Sequence, residues 1–229
     1  QSIDHANSYD PHAWMNITNG KIYARNICNA FVEINPDHEA YYINNLSAYL
    51  EQLDVLDDYI KTIIQSIPRQ QRILITSHDA FQYFSKAYDI RVEAAAGIST
   101  EADVRTGDLN KLIQLIKDHE IPSIFVESTI NPKLLEQLAK DLGIKIGGEL
   151  FVDSLDDPEE EAGTYAGMLK HNAETIKAGL LAQKHQANNQ SITISFILVT
   201  TIILLFVLWI VTKKVIQKGD GELGLKFNL

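Results

Sequence analysis

Thiol chemistry is almost absent from this chain. Cys28 is the single cysteine among 229 residues, which excludes an internal disulfide framework and any zinc site built on several thiolates. Its setting, YARNICNAFVEI, places it on a helix as a small apolar residue. Basic residues are scarce as well: 20 against 30 acids, for a formal net charge of −10. The tail after Gln190 holds four lysines and two acids, so residues 1–190 carry −12. A field of that sign works against binding nucleic acid or anionic lipid and attracts cations. There is no HExxH, no Walker loop, no GxSxG and no GxGxxG after a strand. No initiator methionine, apolar leader or lipobox cysteine stands at Gln1, and the expectation is a processed chain or one lacking its N-terminal part. Internal repeats and low-complexity segments are missing too. With 45% hydrophobic and 22% charged residues, neither disorder nor a collagen-like chain is plausible.

One long hydrophobic run is present. Residues Ser191 to Thr212, SITISFILVTTIILLFVLWIVT, carry no charge and match the roughly 20 residues that cross a bilayer. Lys213 and Lys214 follow at once. The positive-inside rule therefore expects a single-pass membrane anchor, with tail 213–229 in the cytoplasm and the large domain extracellular or periplasmic. The other possibility is the first helix of a longer membrane domain. Residues 184–190 read as a polar linker.

Upstream, helix and strand patterns alternate. Ile17 to Ile34 reads as helix, broken by Pro36 and Asp37. From His38 to Ile67, apolar residues recur every three or four positions (Tyr42, Leu46, Tyr49, Leu53, Leu56, Ile60, Ile63). Thirty helical residues reach about 45 Å, which suits a strut better than a coiled coil, since no sustained 3.5-residue repeat is seen. Strands are expected at 72–76, 90–95, 123–126 and 144–152, the last bulged at Gly147-Gly148. Helices are expected at 79–88, 103–119, 131–142 and 159–183. Asn131, Pro132 and Gly143 punctuate the third of these. The alternation predicts an α/β fold with a mainly parallel sheet covered by helices.

Such sheets bind ligands at the carboxyl ends of their strands. Strand 72–76 runs into His78, strand 123–126 into Glu127, and strand 144–152 into Asp153. His12, in Asp10-Pro11-His12-Ala13-Trp14, lies in a turn on the other side of the strut. Each also has a plainer reading. Asp79 could cap its helix and leave His78 a loop residue. Glu127 could bond loop amides, Asp153 could belong to the solvated acidic run 153–161, and His12 could be a buried histidine beside Trp14. His5, His38, His119, His171 and His185 read as surface residues. Together, imidazole and carboxylate without thiolate suit zinc or manganese.

Five stretches carry a resemblance: DPHAWMN (Asp10 to Asn16), ITSHDAFQYFSKAYDI (Ile75 to Ile90), GISTEAD (Gly97 to Asp103), IFVES (Ile124 to Ser128) and ELFVDSL (Glu149 to Leu155). In this order, around a long helix, they resemble the metal-binding substrate-binding proteins of zinc and manganese ABC transporters over residues 7–183. The resemblance implies a two-lobe periplasmic-binding-protein fold joined by one rigid helix, with the metal between the lobes. It implies residues 1–36 as a remnant of the N-terminal lobe, 37–68 as the connecting helix and 69–183 as the C-terminal metal-binding lobe. It carries over His12, His78 and Asp153 as ligands of Zn2+, or alternatively Mn2+. Glu127 matches a family glutamate that is not a ligand as a rule. The family's first histidine ligand lies far upstream of DPHAW, and His5 does not match it. The function implied is capture of the ion outside the membrane and delivery to an ABC transporter permease, with no covalent chemistry. Two alternatives are a membrane-anchored metal-dependent hydrolase and a surface adhesin that keeps the fold.

Overall fold

The computed structural model describes residues 9–97, 106–182 and 200–204. The chain divides into two units, 1–182 and 183–229. In the second unit, residues 200–204 are helical, and Ile202, Ile203 and Leu204 are exposed. The rest of the expected membrane segment 191–212 lies outside the described residues. Among the described residues no helix is long and apolar enough to cross a membrane. Residues 98–103 of the GISTEAD stretch also lie outside them.

The first unit begins with a 3-10 turn, Ala13–Met15, leading into α1 (Ile17–Ile34). The Asn16 side chain caps α1 by accepting a hydrogen bond from the Thr18 amide. The expected long helix is present as α2 (Glu39–Gln65), about 40 Å at ~1.5 Å per residue. Its two halves differ. Leu53, Leu56, Ile60, Ile63 and Ile64 are buried, but nothing before Leu53 is. There follow β1 (Ile73–Thr76), α3 (Gln82–Tyr88), β2 (Arg91–Ala94), α4 (Thr106–Asp118), β3 (Ser123–Glu127), α5 (Lys133–Leu142) and β4 (Lys145–Leu150). A last helix, α6, covers 165–182.

The strands are parallel, as expected, but their ladders form two pairs, β1 with β2 and β3 with β4. β1 lies beside β3. At the carboxyl ends of these two strands the Ser77 and His78 amides donate to the Glu127 carboxylate instead of to a neighbouring strand. Alternate strand residues face opposite sides. Leu74 and Phe125 join the core made with α2, α3 and α6. Ile73, Ile75 and Ile124 join a second core with α4 and α5. The bulge expected at Gly147-Gly148 is present: the register moves from Ile124↔Ile146 to Phe125↔Gly148. A Cβ at position 147 would stand 2.6 Å from the Phe125 ring, so the bulge needs glycine there.

Three helix starts differ from the sequence expectation. α3 begins at Gln82, and Asp79 does not cap it but accepts from the Gln82 side chain. α5 begins at Lys133, with the Asn131 carboxamide accepting from the Lys133 amide. α6 begins at 165, because turns occupy 158–162. At α5 that bond caps the helix within two residues of the expected start.

The N-terminal segment shares the first core. Met15 and Ile17 are fully buried in it with α2, α3 and α6. Gly20 lets α6 approach: a Cβ there would lie 2.2 Å from the Tyr165 hydroxyl. One face of α1 is largely exposed, with Tyr23, Ile27, Phe31 and Ile34 at helical spacing and Phe31 stacked on Tyr42 of α2. Contiguous apolar surface of this kind drives association. The double substitution Ile27→Glu, Ile34→Glu is expected to reduce self-association, measured by sedimentation velocity, with stability changed by less than about 0.5 kcal/mol. Parent and variant share the stretch 191–212, so their difference isolates this face. Equal association in both would show that the face is inert.

Candidate metal centre

Three loops deliver the expected side chains to one place. His12 precedes the turn Ala13–Met15, His78 lies two residues beyond β1, and Asp153 lies three beyond β4. One ligand atom from each falls within 4.8 Å of the others, the one such group of three among the described residues. His78 is fully buried and His12 nearly so, while the Asp153 side chain is 28% exposed.

Each imidazole has a carboxylate behind it. The His12 Nδ1 lies 2.8 Å from Asp10 Oδ1, which also accepts from the His12 amide. A carboxylate accepts, so Nδ1 carries the proton and Nε2 keeps its lone pair. The His78 Nδ1 lies 2.5 Å from Glu127 Oε2. The ring N–H is not aimed along that line, and both atoms lack a hydrogen bond, but an ionised carboxylate beside Nδ1 favours the proton on that nitrogen. The same tautomer follows. Carboxylate, histidine and an outward Nε2 form the arrangement found behind metal-binding histidines.

Both Nε2 atoms face Asp153. His12 Nε2 is 3.5 Å from Oδ1 and His78 Nε2 is 3.4 Å from Oδ2. These separations exceed an ordinary hydrogen bond. Each is measured to a different Asp153 oxygen, and each is of the size expected between two ligand atoms of an ion with bonds of about 2.0–2.2 Å, roughly 3.3–3.6 Å. His78 Nε2 is buried with no hydrogen-bond partner, a costly state for a polar atom unless something else binds it. Burial acts to lower the His78 pKa. The contact with Glu127 and the charges of Glu127, Asp153 and Asp79 outweigh burial and hold the pKa above its ordinary value.

The plainer readings were partly right. Glu127 does bond loop amides, through Oε1 to Ser77 and His78 at 2.8 and 3.0 Å. It also reaches the His78 ring, which sequence did not foretell. His12 is a buried, hydrogen-bonded histidine, and its Nε2 still faces the site. Asp10, two residues before His12, was missed as its partner. His171 is half-buried at the surface, its ring 5.3 Å from that of Phe151 and its Nε2 3.1 Å from the Glu149 carbonyl. His5 and His185 lie outside the described residues.

Residues 1–179 match the family described as zinc-uptake complex component A, periplasmic. This chain belongs to that family. Its relatives include the metal ABC transporter substrate-binding lipoprotein SsaB of Streptococcus sanguinis, 39% identical over 171 residues, which are 75% of this chain and 55% of that protein. The manganese ABC transporter substrate-binding lipoprotein PsaA of Streptococcus pneumoniae is 36% identical over 175 residues, 76% of this chain and 56% of its own length. The zinc-binding protein TroA of Treponema pallidum is 36% identical over 177 residues, 75% and 58%. The solved structure of the TroA periplasmic zinc-binding protein superposes with a TM-score of 0.73 at 35% identity, over 78% of this chain and 66% of that one. The α/β architecture is thus that of TroA-like periplasmic binding proteins. The chain spans about half the length of the curated relatives it matches. These relatives and structural neighbours are solute-binding proteins, not enzymes. Nor does any of those named here carry an adhesin's name.

Proposed function

We propose that this zinc-uptake family chain captures a divalent cation as its substrate outside the cytoplasm, holding it by His12 Nε2, His78 Nε2 and the Asp153 carboxylate, and delivers it to an ABC transporter permease. The observation that carries this reading is the convergence of one ligand atom from each of the three residues within 4.8 Å of the others, with a carboxylate oxygen 2.8 and 2.5 Å from the two Nδ1 atoms. Delivery to a permease rests on the relatives' names as ABC transporter substrate-binding proteins. The apolar stretch 191–212 and Lys213-Lys214 support membrane attachment by hydropathy alone.

The ion proposed is Zn2+ in preference to Mn2+. Relatives are named for both metals, so the donor set has to decide. Two neutral imidazoles and one carboxylate make a softer, less charged site than a carboxylate-rich one, and such nitrogen donors favour zinc. Competition titration is expected to give Zn2+ an affinity higher by on the order of tenfold or more. Equal affinities would remove the zinc preference, and no binding of either ion would remove the reading as a whole.

A further inference from the structure

Asn172 sits in the middle of α6 with no exposed surface. It interrupts an apolar stripe formed by Met168, Leu169, Ala173, Ile176 and Leu180, all buried in the first core. Its carboxamide is fully used. Oδ1 accepts from the Phe151 amide at 2.9 Å and Nδ2 donates to the Phe151 carbonyl at 2.6 Å. The β3–β4 ladder ends at Leu150, whose carbonyl accepts from the Ser128 amide. Phe151 is therefore the first residue beyond the ladder, and it is buried. Both its backbone groups would lack a partner without Asn172. A carboxamide presents a donor and an acceptor side by side, so this side chain extends the strand pairing by one residue.

The next carbonyl is held too. Val152 O accepts from Trp14 Nε1 at 3.0 Å, and the Trp14 carbonyl accepts from the Tyr165 hydroxyl at 2.7 Å. The two residues before Asp153 are thus tied, one to α6 and one to the turn that carries His12.

We propose that Asn172 is a positioning residue for the metal-binding carboxylate: its paired hydrogen bonds to Phe151 set where Asp153 stands relative to the two imidazoles, and thereby set affinity for the cation. This rests on the reading of His12, His78 and Asp153 as the metal site. Coordination tolerates misplacement of only about 0.5 Å, and Asp153 hangs two residues beyond the last ladder-like contact.

The test uses the full 229-residue chain in mild detergent, titrated with Zn2+ against a chelator and melted without metal. Asn172→Leu keeps the volume and removes both bonds. It is expected to weaken Zn2+ binding about 10–100-fold, the usual cost of losing a group behind a ligand. Asn172→Asp keeps the bond to the Phe151 amide and should fall between parent and Asn172→Leu; it carries the test alone if the leucine variant does not fold. Leu180→Ala, in the same helix and core, serves as the control for stability loss. It should lower the metal-free melting temperature while leaving affinity within about twofold. Parent-like affinity in Asn172→Leu, or in Asn172→Asp where the leucine variant does not fold, overturns the proposal. So does an equal loss in Leu180→Ala, which would make the effect one of general stability. Asp153→Ala is run beside them: if it binds Zn2+ like the parent, the metal-site reading itself fails, whatever Asn172 does.

Discussion

Alanine at position 78 is expected to remove both the metal response and a large part of the metal-free stability, whereas alanine at 153 removes only the first. An ion bound by the folded chain alone stabilises it by mass action, about 2.7 kcal/mol at a hundred times Kd. For a domain of this size that raises the melting temperature by roughly 5–10 °C. Each of His12→Ala, His78→Ala and Asp153→Ala should abolish most of that rise. Their metal-free behaviour separates them. Asp153 is partly exposed and touches the imidazoles only beyond hydrogen-bond range, so its loss should cost less than about 1 kcal/mol. His78 is wholly buried against Glu127. Removing it leaves a cavity and takes the facing imidazole away from a buried carboxylate, a loss on the order of 3 kcal/mol, or roughly 6–12 °C. His12 falls between, because its partner Asp10 is 19% exposed and can turn to water. Thermal melts with and without Zn2+ read both quantities. An Asp153→Ala chain that keeps the full zinc shift would show that the wrong carboxylate has been chosen.

A ligand in a loop contributes little to a metal-free fold, and sequence alone would rank His12, His78 and Asp153 alike on that ground. Burial breaks the tie, and burial is a tertiary property. What sequence did expose were features with local causes. The periodicity of α2, the Gly143 helix end and the Gly147-Gly148 bulge each follow from a few neighbouring residues, and all are present. The three candidate ligands were legible because strand ends are where such sheets present side chains, and the family motifs picked the same positions. The supports behind them were not. Asp10 is only two residues from His12, but an aspartate before proline has too many local uses to single out. Glu127 is 49 residues from His78 and Asn172 is 21 from Phe151, so those pairings exist only after the sheet and α6 have packed. One signal for Asn172 was available. A carboxamide on the apolar stripe of an amphipathic helix must find partners when buried, and that alone marks it as structural or functional.

A second separation of stability from affinity is expected at Glu127. Its two oxygens do different things: Oε1 accepts from the Ser77 and His78 amides, and Oε2 meets the His78 ring. Glu127→Ala orphans both amides at a cost of about 1–3 kcal/mol each and removes the carboxylate facing the ring, a large share of the 5–15 kcal/mol that holds a typical domain together. It should lose metal affinity as well, because nothing then fixes the imidazole. Glu127→Gln separates the two effects. The amide oxygen can replace Oε1 and keep both backbone bonds, so metal-free stability should stay within about 1 kcal/mol of the parent. The amide nitrogen then takes the place of Oε2, and it is a donor. Two N–H groups cannot face each other at that distance, so His78 Nδ1 must give up its proton and accept. The proton moves to Nε2, the atom that faces Asp153 and has to offer its lone pair to the ion. Zn2+ affinity should fall about 10–100-fold in a chain that still melts like the parent. Nitrogen NMR of the His78 ring in the metal-free chain, recorded at a pH above the raised pKa of that ring, reads the tautomer directly: Nδ1 protonated in the parent, Nε2 protonated in Glu127→Gln. If the ring keeps its proton on Nδ1 in the glutamine variant, or if that variant binds Zn2+ as tightly as the parent, then Glu127 holds the loop and not the ligand.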